Sequence, residues 1–239
     1  MPRISLLLLA LLAAPAPLLA ATAVDIELVL AADGSGSIDT GEMRLQRDGY
    51  ADAITHPRVL EAIRAGRLGR IALAYVEWGS AVSRHTIVDW AVIDGDASAA
   101  AFADRLRTAP RRASGYNSIS AAIDYSARMI RDNDYAGDRL MIDVSGDGPN
   151  IGGRSIWQAR DEAVAAGITV NGLVIAGPQG NFRGPGGMPL IDYFREAVIG
   201  GIGAFALEAD RRLNFARAVR IKLLREIARA NGLPEGEPG

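Results

Sequence analysis

Short apolar runs alternate with segments of helical periodicity along most of the chain, and this alternation constrains the possible folds more than any other feature. Strands are predicted at residues 24–32, 70–78, 86–93, 139–144, 168–175 and 204–208. Helices are predicted at residues 41–63, 96–108, 118–130, 155–166, 190–198 and 214–230. The strand at 24–32 is a near-continuous apolar run, which is typical of a strand buried between two layers of helices.

Strands that alternate with helices of about ten or more residues predict an α/β fold, in which helices cover both faces of a doubly wound, mostly parallel open sheet. Residues 86–93 alternate less clearly, so we expect them to form one antiparallel edge strand. Pro57 is expected to break or restart the helix predicted at 41–63. Because no repeat or linker divides the chain, residues 22–231 are predicted to form one domain, followed by a disordered tail at 232–239.

The first residues have the layout of a secretory signal peptide. Arg3 supplies a basic start, residues 6–14 are apolar, and two prolines and several small residues follow. The apolar stretch is shorter than the roughly 20 residues that span a bilayer. We therefore expect residues 1–21 to be a signal peptide, cleaved between Ala20 and Ala23. The mature protein is then periplasmic or secreted and has no membrane span.

Composition excludes several classes of function. The chain of 239 residues contains no cysteine, which excludes disulfides, thiolate catalysis and cysteine-based zinc sites. Its formal net charge of -2 favours neither a nucleic acid nor an anionic membrane surface as a partner. We expect neither of these partners.

Polar residues follow three of the predicted strands, at 33–37, 114–118 and 143–150. In open parallel sheets, ligands bind at the carboxyl ends of the strands, near the point where the strand order reverses. These three loops are therefore the predicted functional site.

The first loop does not match a nucleotide-binding motif. Gly34 and Gly36 fit the first two positions of the dinucleotide fingerprint, but Asp39 occupies the place of its third glycine and repels phosphate. The loop also lacks the lysine of a P-loop, because the first basic residue after it is Arg44.

A serine hydrolase is disfavoured too. Gly34-Ser35-Gly36 has the wrong spacing for the G-x-S-x-G motif. His56 and His85 both lie in the first half of the chain and are interpreted as structural or surface residues. The single lysine, Lys222, belongs to the predicted closing helix.

A metal site fits the first loop better. Asp33 is followed by hydroxyls at Ser35 and Ser37, so one loop can direct three oxygens at one point, and the glycines allow a sharp backbone turn. A hard cation such as Mg²⁺ binds oxygen ligands of this kind. Asp147 and the Asn117/Ser118 pair stand where a second carboxylate and a neutral oxygen are needed.

Some of these side chains also suit structural roles. Ser35 and Ser37 are suitable N-caps for the helix that follows. Asp143 lies within a predicted strand and is interpreted as a structural, hydrogen-bonded carboxylate. The arginine-rich run at 105–112 is typical of a solvated face, although it also precedes the second loop and can attract an acidic partner.

The pattern Asp33-Gly34-Ser35-Gly36-Ser37 resembles the D-x-S-x-S motif of von Willebrand factor A domains, the metal-ion-dependent adhesion site. "SGDGPN", which contains Asp147, is similar to the T-D-G-x-x-N ending of the corresponding strand. With "YVEW" and "VIGGIGAF", it looks more narrowly like a group of exported bacterial A-domain-like proteins of uncharacterised function. The chain departs from the family pattern at Asn117, where G-x-T-x-I normally has threonine.

The resemblance implies an exported binding module rather than an enzyme. Its metal ligands would be Asp33, Ser35, Ser37, Asn117 and Asp147. The cation would be Mg²⁺, with Mn²⁺ or Ca²⁺ as alternatives, and a carboxylate of a protein partner would fill an open coordination position. Tyr116, Ser118 and Asn150 are candidate partner contacts. Two alternatives stay open: a metal-dependent hydrolase acting on a phosphate or ester, and a scaffold whose metal site is degenerate.

Overall fold

A single six-stranded sheet forms the centre of the protein in a computed structural model, which describes residues 20–176, 183–210 and 215–230. The strands are β1 (Thr22–Asp33), β2 (Ile71–Trp78), β3 (Arg84–Ile93), β4 (Tyr135–Gly146), β5 (Ile168–Ala176) and β6 (Ala206–Asp210). Their order in the sheet is β3-β2-β1-β4-β5-β6. All neighbouring strands are parallel except β3, which pairs antiparallel with β2 at the edge. The predicted α/β class and its antiparallel edge strand are confirmed.

Helices cover both faces of this sheet. They are α1 (Thr40–Ile54), α2 (Pro57–Arg64), α3 (Asp96–Thr108), α4 (Ile119–Arg131), α5 (Ile156–Ala165), α6 (Leu190–Tyr193) and α7 (Phe215–Ala230). A π-helical turn, Phe194–Val198, extends α6, and a 3-10 turn, Pro185–Gly187, precedes it. Residues of α1, α2, α3 and α7 pack into one apolar cluster, and those of α4, α5 and α6 pack into a second cluster.

The central strand β1 explains why its sequence is apolar without alternation. Leu28 and Leu30 belong to the first cluster, whereas Val29 and Ala31 belong to the second. Successive side chains of a strand point to opposite faces, so a strand with helices on both sides buries every residue. Burial of each large aliphatic side chain contributes about 1.5–3 kcal/mol.

Most element boundaries lie within two residues of their predicted positions, and two elements differ by more. The segment predicted as one interrupted helix at 41–63 forms α1 and α2, and Pro57 occupies the first turn of α2. The ring nitrogen Nδ1 of His56 accepts from the N–H of Arg58 over 3.2 Å and caps this second helix. β4 begins at Tyr135 rather than 139, because its polar first residues pair with the start of β1.

The described structure begins at residue 20, near the end of the predicted signal peptide. Residues 1–19 of that segment and the predicted tail at 232–239 lie outside the described residues. Thr22 is the first residue of β1, and its N–H donates to the carbonyl of Asp134 over 2.8 Å. Within the described ranges, no helix has both the length and the apolar character that crossing a membrane requires.

Candidate metal centre

Asp33 and Asp147 lie together at the carboxyl edge of the sheet. Asp33 is the last residue of β1, and Ala32 is aligned with Ser145 near the end of the parallel strand β4. The N–H of Asp147 donates to Oδ2 of Asp33 over 3.4 Å. Both carboxylates are buried, with exposed fractions of 0% and 2%. Two loops far apart in sequence therefore bring two acidic side chains to one point.

The first loop folds back on Asp33. The N–H of Ser35 donates to Oδ1 of Asp33 over 2.8 Å, and the hydroxyls of Ser35 and Ser37 lie 3.0 Å apart. Neither serine is needed as a cap for α1, because that role belongs to Asp39. Asp39 and Glu42 form a reciprocal capping box at the start of the helix. The two hydroxyls thus belong to the loop that carries the buried carboxylate.

The second loop, which contains Asn117, contacts the loops on either side of it. The N–H of Gly36 donates to the carbonyl of Gly115 over 2.8 Å. The carbonyl of Asn117 accepts from the N–H groups of Ile151 and Gly152, over 2.8 and 3.1 Å. Asn117 itself is only 6% exposed. The backbone at this position is therefore fixed to the third loop, which in the structure runs over residues 147–155 between β4 and α5.

A close backbone contact also joins the second loop to the turn between β2 and β3. The N–H of Ser118 donates to the carbonyl of Gly79 over 2.8 Å, and the N–H of Ser80 donates to the carbonyl of Ser114 over 3.0 Å. A Cβ atom at Gly79 would lie 2.2 Å from that same carbonyl oxygen of Ser114. Only glycine permits this approach, so the turn supports the second loop.

The three predicted partner contacts have different surroundings. Tyr116 is 79% exposed, as a contact residue must be. Ser118, in contrast, is fully buried, and its hydroxyl donates to the carbonyl of Gly152 over 2.9 Å. Asn150 accepts from the N–H of Ser120 over 2.9 Å through its side-chain oxygen. Ser118 therefore bonds the second loop to the residues after β4, and Asn150, which is half-buried, bonds to the first turn of α4.

The buried carboxylate of Asp33 is costly to ionise in the metal-free protein. Burial, and then the charge of Asp147, raise the pKa of Asp33 to about 7, although the N–H groups of Ser35 and Asp147 oppose this change. Two acidic groups that share a buried site cannot both ionise cheaply without a positive charge. A cation coordinated by oxygen would remove this penalty, so the residues present fit a hard divalent ion.

Carboxylates alone do not complete such a site. No cluster of three or more His, Cys, Asp or Glu side chains suited to a metal occurs in the described part of the chain. A cation here must therefore also use neutral oxygens, and Ser35, Ser37 and Asn117 carry them. This composition of oxygen ligands suits Mg²⁺, Mn²⁺ or Ca²⁺.

Sequence reasoning did not identify two arginines that support the site. Arg111, in the run interpreted as a solvated face, donates to the carbonyls of Gly34 and Ser35 over 3.3 and 3.1 Å. Arg47 forms a buried ion pair with Glu77 at 2.7 Å. A single glutamate within the apolar strand β2 was the signal for this second pair, because a buried charge needs a partner.

Solved structures with the same fold include three proteins of low sequence identity. One is the pilus adhesin SpaC from Lactobacillus rhamnosus GG, with a TM-score of 0.60 and 14% identity over 87% of this chain and 30% of that chain. Another is proximal thread matrix protein 1 from the mussel byssus with a zinc-occupied MIDAS motif, with a TM-score of 0.57 and 13% identity over 85% and 46%. The third is a von Willebrand factor type A protein from Catenulispora acidiphila, with a TM-score of 0.57 and 14% identity over 88% and 43%.

These likenesses confirm the resemblance to von Willebrand factor A domains at the level of the fold. The chain spans less than half the length of each of these three proteins. No curated protein matches the sequence. Residues 23–231 match the model of a family described as "Protein of unknown function (DUF1194)", and the chain belongs to this family.

Proposed function

We propose that this protein is an exported binding module, which uses a divalent cation at the carboxyl edge of its sheet to bind a carboxylate of a protein partner. The observation that carries the proposal is the buried contact between Asp33 and Asp147. Asp33 is fully buried, and burial together with the charge of Asp147 raises its pKa to about 7, so a bound cation would favour its ionised form. The ligands would be Asp33, Ser35, Ser37, Asn117 and Asp147, and the preferred ion would be Mg²⁺.

The surface around this site supports a macromolecular partner. Val82 is 88% exposed, Tyr116 is 79% exposed and Ile151 is 66% exposed. All three belong to loops that are hydrogen-bonded to one another at the carboxyl edge. Large apolar side chains grouped on one exposed surface are typical of protein interaction sites. The exposed Arg111 adds a positive charge beside the first loop, which favours an acidic partner.

The surroundings of the basic side chains favour a binding module over a hydrolase. His56 caps α2, and Nε2 of His85, on the edge strand β3, lies 3.3 Å from the hydroxyl of Ser83. Lys222 is fully buried, with its ammonium 2.6 Å from Asp143. A general acid or base must reach the proton that it transfers, and these three groups are already engaged elsewhere in the fold.

Titration calorimetry of the exported protein with Mg²⁺ and Mn²⁺ tests the metal site. We expect one saturable site, and we expect Asp147→Ala to weaken it by more than about tenfold while far-ultraviolet circular dichroism stays unchanged, since a loop carboxylate carries little core packing. Asp138→Ala is the matched control, because Asp138 forms an exposed ion pair with Arg67 on another part of the surface. Equal cation affinity in all three proteins would reject this ligand set, and saturable phosphatase or esterase activity would favour the hydrolase.

A further inference from the structure

A second concave site lies near the amino ends of the central strands, away from the candidate metal centre. It is a cavity of about 560 Å³ between β3, the second half of α4 and the start of β4. Its walls include Trp90, Tyr125 and Tyr135. β4 starts at Tyr135 and ends beside the metal site at Gly146, and its 12 residues span roughly 35 Å in an extended strand. The two sites are therefore separate.

Half-buried aromatic rings form the floor of this cavity. The ring centroids of Trp90 and Tyr135 lie 6.0 Å apart, with the ring planes inclined by 50°. The hydroxyl of Tyr125 is hydrogen-bonded to that of Thr86 over 2.8 Å, which fixes the third ring against β3. Rigid aromatic rings that remain partly open to solvent offer apolar faces at a low entropic cost of binding.

Charged side chains of both signs surround the floor. Asp89, Asp134 and Arg128 line the cavity and are exposed. The guanidinium of Arg128 lies 6.0 Å from the centroid of the Tyr125 ring. Arginine supplies only hydrogen-bond donors and an ionised carboxylate supplies only acceptors, so the rim presents both kinds of group around one aromatic floor.

We propose that this cavity binds a saccharide, one sugar ring of which stacks on the aromatic floor while its hydroxyls bond to the rim. Each sugar hydroxyl both donates and accepts, so it matches a rim that contains Arg128 as well as Asp89 and Asp134. An organic cation fits less well, because Arg128 already places a positive charge over Tyr125. Asp132 also lines the cavity, but Arg131 pairs with both of its carboxylate oxygens, at 2.8 and 3.0 Å.

The test is a panel of immobilised neutral oligosaccharides, followed by titration of each bound sugar into the full-length protein with tryptophan fluorescence as the readout. We expect at least one sugar to bind and to change the emission of Trp90. In calorimetric titrations, which need no tryptophan reporter, Trp90→Ala and Arg128→Ala should each weaken that binding by about tenfold or more, because they remove a stacking face and a donor. Arg128→Ala alters only an exposed side chain, so it reports on binding even where loss of Trp90 perturbs folding.

Trp157→Ala is the matched control, since Trp157 is 47% exposed and lies outside the cavity. Its sugar affinity should equal that of the wild type, and binding should persist in EDTA, which separates this site from the metal centre. Failure of the whole panel to bind would overturn the proposal. Sugar affinity that is unchanged in both cavity variants would also overturn it. A change in tryptophan emission on addition of tetramethylammonium ion, when no sugar changes it, would do the same.

Discussion

The ammonium group of Lys222 lies 2.6 Å from the carboxylate of Asp143, and neither side chain is more than 1% exposed. Lys222 also contacts Glu226 one turn further along α7, and the amide of Asn171 donates to the same glutamate over 2.8 Å. These four residues connect α7 to β4 and β5 in the interior of the sheet. The only lysine of the chain is therefore part of the structural core.

We predict that Lys222→Ala strongly destabilises the protein. The substitution leaves two acidic groups buried without their cation, and breaking a buried ion pair in this way costs about 3–5 kcal/mol. Urea denaturation measures the change in the free energy of unfolding. Arg217→Ala on the exposed side of the same helix is the control, with an expected change within about 0.5 kcal/mol. Equal stability of the two variants would mean that Lys222 is not paired in the interior.

We predict that the metal-free protein loses stability as the pH rises from 5 to 8. Burial raises the pKa of Glu226 to about 7, although the nearby Lys222 lowers it, and the pKa of Asp33 is also raised to about 7. A carboxyl group whose pKa is raised in the folded state stabilises the fold fully below its unfolded pKa. That contribution is lost as the pH passes through about 7, and the combined loss is a few kcal/mol.

Urea denaturation at several pH values in EDTA measures this loss. Glu226→Gln and Asp33→Asn should each flatten the dependence on pH, because an amide does not ionise. Added Mg²⁺ should reduce only the part of the stability loss that comes from Asp33, since cation binding favours the ionised form of this residue. Stability that instead rises between pH 5 and 8 in the wild type would contradict the assigned direction of both pKa changes.

Particular residues show how far the sequence predicts this fold and its site. The run at 24–32 identifies a strand buried on both faces, and the position of Asp33 at its end predicts a place at the carboxyl edge. The pairing of Lys222 with Asp143 is different. Helical periodicity shows that α7 is amphipathic, but it does not show which strand residue lies opposite each of its side chains. Which residues pair across a long sequence distance is decided by tertiary packing, which the local sequence pattern does not show.

The same limit applies to the polar residues around the site. Ser118 and Asn150 are polar residues in loops, and polar loop residues are usually exposed. In this fold Ser118 bonds to the carbonyl of Gly152 and Asn150 to the N–H of Ser120 in α4, because buried N–H and C=O groups need partners where these segments meet. Local sequence does not indicate that these loops pack against each other.

We predict that Arg47→Met destabilises the protein and loosens the segment before the second loop. Arg47 pairs with the buried Glu77 and also donates to the carbonyls of Ala109 and Pro110. Loss of the guanidinium leaves Glu77 buried without a counter-charge, at a cost of about 3–5 kcal/mol. Limited digestion with trypsin should cut faster at the nearby exposed arginines.

The control for this variant is Arg64→Met, which removes an ion pair whose partners are 46% and 83% exposed. Exposed pairs contribute about 0–1 kcal/mol, so a small change is expected there. Urea denaturation compares the two variants. Similar losses of unfolding free energy in both variants would show that the buried ion pair of Arg47 stabilises the fold no more than an exposed pair does.

The last prediction concerns Asn117, where the chain departs from the family pattern. We expect Asn117→Thr to raise the affinity for Mg²⁺ relative to Ca²⁺ by roughly three- to tenfold. Mg²⁺ requires near-octahedral geometry at about 2.0–2.1 Å, whereas Ca²⁺ tolerates longer and less regular contacts, and a hydroxyl on a shorter side chain suits the smaller ion. The backbone should not move, because the carbonyl at this position is held by the N–H groups of Ile151 and Gly152.

Calorimetric titration with each cation measures the ratio of the two affinities. Tyr116→Phe is the control, since it changes the adjacent side chain without adding or removing a ligand. An unchanged ratio would mean that the side chain of Asn117 does not face the cation, and the absence of cation binding in every variant would leave the residues 33–37 as a polar turn.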